Sequence, residues 1–210
     1  MMISARSLDR YHLEAEDGKI GDVENLYFDE RVWSVPYLVV RTGNFLTGKS
    51  ILIYTRTAGK VDIPDHSIPI SMTKEEIRKS PYMDARMPVH RQKEMMYFQH
   101  MGWSPYWDYS PPGMATAGNV QPDPSTRSTR DMLEGQNPHL RDTFKIIGYG
   151  AAARDGSIGH IEDFIVDVDE WMMRFVVVDT GKFLGLKKGE KKIIPVRRIS
   201  DIDWSTGTVT

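Results

Sequence analysis

The segment Gly156–Trp171, GSIGHIEDFIVDVDEW, gathers His160 with Glu162, Asp163, Asp167, Asp169 and Glu170. Convergent carboxylate oxygens suit a hard cation, and a carboxylate beside an imidazole suits acid–base work. Asp163, Asp167, Asp169 and Glu170 are the candidate ligands, but the spacing lacks the Asp-x-Asp-x-Asp-Gly order of a calcium loop. Other chemistry has less behind it. The chain has no cysteine, which removes thiolate metal sites, disulfides and a cysteine nucleophile. His90 and His100 share a predicted helix but lie about 80° apart around its axis, and no His-Glu-x-x-His occurs. There is no Gly-x-Ser-x-Gly, and GYGAAARDGSIG lacks the Lys-Ser/Thr ending of a phosphate loop. These residues point to no enzyme, no metal and no cofactor.

The elements that position the acidic segment are legible from an internal repeat. Shifted by 138 positions, Ala15–Leu46 lies on Ala153–Leu184 without a gap, and fourteen of thirty-two residues are identical. Beyond it, Lys49–Ile53 resembles Lys191–Pro195 after a short insertion. The acidic segment therefore has a control in GKIGDVENLYFDERVW. His160 falls on Asp22, Asp163 on Asn25 and Asp169 on Arg31, so the first copy keeps the glycines, Glu24, Asp29 and Trp33 but not the ligand set. The spacing favours scaffold, with Asp29 and Asp167 bonding the backbone of a turn.

Each copy reads as a β-hairpin, with strands over Lys19–Asp29 and Trp33–Thr42 in the first. Apolar residues fall at Ile20 and Val23, then slip phase to Leu26 and Phe28; Ile158, Ile161, Phe164 and Val166 slip at the same place, predicting a β-bulge. In the second strand Trp33, Val35, Tyr37 and Val39 alternate with Leu38 and Val40, so both faces are apolar. One face can fill a small barrel, and the other needs cover from the sister unit or a partner. Gly18, Gly21, Gly43, Gly156, Gly159 and Gly181 stand where turns or close backbone approach require them. The middle third differs. Thr73 and Glu76 make a capping box with Met72 and Ile77 as a staple, and Pro88–Gly102 reads as a second helix stopped by Gly102. A Pro-, Ser- and Thr-rich connector follows.

The pattern DGxIGxVxDxxxDxxxWxxxYLVVDTGxxL resembles the PRC-barrel superfamily. Its signature falls on Gly18, Gly21, Asp29, Trp33 and Gly43, and again on Gly156, Gly159, Asp167, Trp171 and Gly181. The middle, with PVHRQKE and GWSPYW, is similar to the linker of bacterial tandem PRC-barrel proteins. The resemblance implies a mainly β chain: a first PRC-type barrel over 1–72, a helical and irregular linker over 73–139 and a second barrel over 140–210. Departures are Arg41 where the pattern has Asp, and Asn25 where the second copy has Asp163. The second copy also ends at Thr210 inside its expected last strand, so either that barrel closes early or the chain is trimmed.

Two surface features could meet a partner. Trp103, Tyr106, Trp107 and Tyr109 cluster between prolines, as anchors for a protein or, the favoured reading, as a clamp between the two barrels. Lys187, Lys188, Lys191 and Lys192 form a basic loop, favoured as a solvated hairpin and alternatively a contact for an anionic partner, phospholipid headgroups or RNA. A formal charge of -2 gives no bulk attraction to nucleic acid. No apolar run is long enough to span a membrane and no secretory signal is visible, so a cytoplasmic protein is expected.

The resemblance implies a non-catalytic assembly or interaction subunit with protein partners. Its sharpest form is a cytoplasmic, membrane-peripheral cap on a larger photosynthetic or electron-transfer complex, like the PRC-barrel domain of the reaction-centre H subunit. The alternatives are a free-standing soluble stress-related or ligand-binding protein and, third, an RNA- or ribosome-associated factor.

Overall fold

The computed structural model describes residues 1–43, 48–79, 91–103, 139–181 and 189–210. The N-terminal part holds β1 (Met2–Ser4), β2 (His12–Ala15), β3 (Gly18–Asp29), β4 (Ser34–Arg41), β5 (Ser50–Tyr54) and β6 (Ser67–Pro69). Helices α1 (Lys74–Lys79) and α2 (Arg91–Met101) follow. The C-terminal part holds β7 (Leu140–Asp142), α3 (Thr143–Ile146), β8 (Gly150–Ala153), β9 (Gly156–Asp167), β10 (Met172–Asp179), β11 (Lys191–Pro195), β12 (Ile202–Asp203) and β13 (Thr208–Val209).

Matching stretches of sequence form matching elements. β3 and β9 pair with β4 and β10 as long hairpins, and each register shifts at one glutamate. Glu24 is the extra residue between Val23 and Asn25, and Glu162 the extra residue between Ile161 and Asp163. That is the bulge the phase slip predicts. Agreement continues outside the recognisable repeat: β2 pairs in parallel with β6 through His12 and Ser67, and β8 with β13 through Gly150 and Thr208. The segment before Thr210 thus forms a strand in the place that β6 takes in the first part.

Both glycines after the first turn are fixed by sterics. A Cβ on Gly21 would lie 2.0 Å from the Arg41 carbonyl oxygen, and one on Gly159 2.0 Å from that of Asp179. Only glycine lets these strands cross so closely and curl.

Two separate barrels are not what the pairing describes. The strands run in one open sheet, β12-β13-β8-β9-β10-β4-β3-β2-β6, with β1, β5, β7 and β11 at its sides. The join is a Ser34–Met172 bridge between β4 and β10. Val35 N–H donates to Trp171 at 2.7 Å and Met173 N–H to Trp33 at 2.8 Å. These positions correspond across the repeat, so the join has the self-complementary form of a two-fold interface within one chain. Trp33 and Trp171 adopt φ 58° and 51° to make it, a conformation costly for a bulky residue.

One core runs through the join, with Phe28 stacked on Trp33 at 5.5 Å and tilted against Phe164 at 5.9 Å. Each such buried side chain contributes about 1.5–3 kcal/mol of transfer free energy. Strand β4 departs from simple alternation. Trp33 and Val35 face this core, but Leu38 and Val40 replace Tyr37 and Val39 there. The register shift between Tyr27 and Asp29 reverses the alternation, turning Tyr37 and Val39 outward.

Candidate functional site

The acidic hairpin sits where the two parts meet. Strand β1, from the N-terminal part, pairs with β9 through Met2–Asp167, Ile3–Val166 and Ser4–Ile165. Strand β7, from the C-terminal part, pairs with β3 through Leu140–Asp29, Arg141–Phe28 and Asp142–Tyr27. The two exchanged strands correspond to one another, and each part completes the sheet of the other.

The carboxylates of the hairpin bond to this exchange. The Met1 amine donates to Asp167 at 2.9 Å and also to Asp169. Burial pushes the Asp167 carboxyl up, but the bonds from the amine and the Asp169 N–H outweigh it and hold it below its ordinary value. Arg174 bridges Asp167 and Glu170. Asp163 accepts from the Ser4 hydroxyl and, at 3.2 Å, from the Arg6 N–H. In the mirror-related place Asn25 donates to Asp142 at 2.5 Å. Each crossing thus joins one carboxylate to one neutral donor, and Asn25 against Asp163 is the difference that makes both crossings complementary. The turn aspartates also accept backbone bonds, Asp29 from Arg31 N–H at 3.0 Å and Asp167 from Asp169 N–H at 3.3 Å.

Asp29 itself is fully buried and accepts from the exposed Arg31 guanidinium at 2.8 Å. Beside it Glu30 accepts from Arg141 at 2.9 Å and Trp204 Nε1 at 2.8 Å, and meets His139 Nδ1 at 3.2 Å. Arg141 lies 4.3 Å over the Trp204 ring. Burial pushes the Glu30 carboxyl up, but the His139, Arg141 and Trp204 contacts outweigh it and hold it low. Among the described residues no group of three or more His, Asp or Glu side chains stands where it could hold a metal ion.

The bulge glutamates explain another departure from the repeat. Glu24 accepts from Arg41 Nε at 2.6 Å and from the Ser50 hydroxyl. Glu162 instead accepts from Lys191 at 2.6 Å. Arg41 and Asp179 correspond, as do their sheet partners Ser50 and Lys191, one residue away from the sequence matching that set Lys49 on Lys191. The cation has moved from one strand to its neighbour, so Arg41 replaces the pattern's Asp without loss of the bond. Lys191 is thereby engaged within the chain, and the glutamate raises its pKa. Lys192 is exposed. Lys187 and Lys188 lie outside the described residues.

The outward face of the first hairpin is covered from the middle third. Glu94, Tyr97, Phe98 and Met101, spaced along one side of α2, close over Tyr37, Val39, Leu52 and Tyr54. Tyr37 donates to Glu94 at 3.0 Å. Burial pushes the Tyr54 hydroxyl up to about 12. Gly102, at φ 65°, ends the helix, and Trp103 then packs 5.6 Å from Tyr54 and 6.2 Å from Tyr97. Trp103 therefore seals α2 onto the first hairpin. Tyr106, Trp107 and Tyr109 lie outside the described residues. Capping is as expected: Thr73 N–H donates to Glu76 at 2.7 Å and Glu76 N–H to the Thr73 hydroxyl at 3.2 Å.

The remaining signature glycines serve turns. Gly18 and Gly156 adopt φ 116° and 135° after their hairpin turns, Gly43 has φ 22°, and Gly181 packs against Gly189. Sequence reasoning missed the exchange of β1 and β7. Over Met1–Glu14 and His139–Ala152 the aligned copies share only Tyr11 and Tyr149, because backbone pairing there tolerates different side chains.

With the hairpin, bulge and parallel closing strand in place, the family model of the PRC-barrel domain matches from Lys145 to Thr210. Residues 145–210 form a PRC-barrel domain. No curated protein matches the chain. The PRC-barrel domain contains the whole acidic hairpin, and it draws β1 from outside its own span. Among the described residues no helix is long and apolar enough to cross a membrane.

Proposed function

We propose that the chain is a non-catalytic assembly module, made of two PRC-type units that arose by duplication and interlock through exchanged strands. One observation carries the reading. Glu162, Asp163, Asp167, Asp169 and Glu170 all bond within the chain, four of them to β1, the turn after it or the Met1 amine, or to Arg174 beside them. Groups engaged in this way hold a frame together. The matching elements outside the recognisable repeat support the duplication.

The sharpest form of the proposal is a cytoplasmic cap docked on a larger membrane complex, photosynthetic or electron-transfer, as the resemblance to the reaction-centre H subunit implies. Exposed Lys192, Arg197 and Arg198, with Lys187 and Lys188 before them, would then face anionic lipid. Affinity purification from native membrane and soluble fractions tests the reading. A partner recovered in fixed proportion is expected, and a lone monomer in every fraction contradicts it. Calorimetry with Ca²⁺ or Mg²⁺ is expected to show no heat; saturable heat lost in Asp163→Ala would instead make the hairpin a cation site.

A further inference from the structure

The two hairpins present corresponding outward faces, and their cover differs. On the first, Tyr27, Tyr37, Val39, Leu52, Tyr54 and Leu140 lie under α2 and Trp103. The same registers on the PRC-barrel domain place Ile165, Phe175, Val177, Ile193, Pro195 and Met2 together: Phe175 pairs with Ile165 and Pro195, and Val177 with Ile193. This second face is as apolar as the first. Val177 is buried as Val39 is, and Ile165, Phe175 and Pro195 are half-buried, but the outer part of the face is open: Ile193 is 64% exposed and Met2 51% exposed, whereas Leu52, in the place of Ile193, is 4% exposed. Among the described residues no helix is seated on it.

We infer that this face of the PRC-barrel domain takes an amphipathic helix from a partner protein, with an uncharged stripe where α2 carries Glu94. Three observations choose the occupant. The corresponding face in the same chain, built on the same strand register, seats a helix by residues at i, i+3, i+4 and i+7. Tyr37, which bonds Glu94, is replaced by Phe175, which offers no hydroxyl to a buried carboxylate. A helix identical to α2, from a second copy, is therefore rejected. The patch is also small: a stable dimer interface needs roughly 20–30 residues a side, far beyond these six side chains, while a helix in a groove does not. The inference rests on the assembly reading and specifies the chemistry of its partner.

The absence of cysteine in the sequence makes the test clean. The thiol of Ile193→Cys is expected to react with a maleimide at least about tenfold faster than that of Leu52→Cys, which reacts only when α2 opens. The binding probe is a synthetic peptide of residues 91–103 carrying E94L, stapled on its solvent side. It is expected to bind the full chain and to lose at least about tenfold in affinity on Ile193→Asp or Ile193→Lys. The unsubstituted peptide should bind about tenfold more weakly than the E94L peptide, and Phe175→Tyr should recover it. Several results would overturn the inference: a protected thiol at 193 in the monomer, meaning the chain covers its own face; self-association abolished by Ile193→Asp, meaning a second copy does; or peptide binding that is absent or indifferent to residue 193. Failure of the peptide at a reactive thiol removes this inference alone, whereas a lone monomer from every native fraction removes the assembly reading itself.

Discussion

At the residue scale, positions are held by what the backbone leaves room for. Gly159 faces the Asp179 carbonyl so closely that any side chain must push β9 off β10. Gly21→Ala, with the same 2.0 Å approach but without the φ of 139° that Gly159 also carries, is expected to cost about 3 kcal/mol in urea unfolding, against about 1 kcal/mol for Gly43→Ala, where no atom lies within 4 Å and only the backbone angle objects. Equal costs would contradict the close approach as the reason. The junction should also be acid-sensitive through Glu30. Its carboxyl is held below its ordinary 4.5, so its stabilisation is complete above the unfolded value and is lost as pH falls through the folded one. Stability of the wild type should therefore fall more steeply below about pH 4.5 than that of Glu30→Gln. Parallel pH profiles of the two proteins, measured by thermal melting, would show that the cluster contributes nothing.

At the element scale, the hairpins were legible and their partners were not. Val23 to Leu26 announced the bulge because a phase slip is written in the residues that face the core. The strands β1 and β7 left no such trace, since Ser4 and Asp142 occupy the same place with different chemistry and hold through backbone pairing. What the sequence did carry was the difference Asn25 against Asp163, which reads as divergence until the crossing partners are known. Unexchanged strands would set Asp142 against Asp163 and leave Ser4 against Asn25, so the side chains favour the exchange. Asn25→Asp is expected to destabilise by about 1–2 kcal/mol through like charge at Asp142, with Asp142→Asn in the same chain recovering most of it. Additive effects in that double-mutant cycle would contradict the crossing. The cover of the first hairpin was half legible: an apolar outward face on β4 demanded cover, expected from the sister unit or a partner, and the helix ending at Gly102 supplies it instead.

At the scale of the whole molecule, one sheet and one core pass through both parts, so the PRC-barrel domain over 145–210 is not an independent bead on a linker. Of the residues that first suggested chemistry, Asp163, Asp167 and Asp169 fasten the parts together, while Glu162 and Glu170 brace the C-terminal part itself. In the proposed assembly role the contact lies elsewhere, on the partly open face around Ile193. The asymmetry between this face and the covered one is invisible in the sequence, because Leu52 and Ile193, which only the strand pairing shows to be equivalent, are both ordinary strand residues. The measurement that tests this most directly is photo-crosslinking in native extract from a benzophenone on Ile193→Cys, with Met96→Cys, on the solvent side of α2 at 54% exposure, as control. A single adduct at 193, absent at 96 and containing the same partner that affinity purification recovers, is the predicted result. The same adduct pattern at both positions, or no adduct at 193, would contradict it.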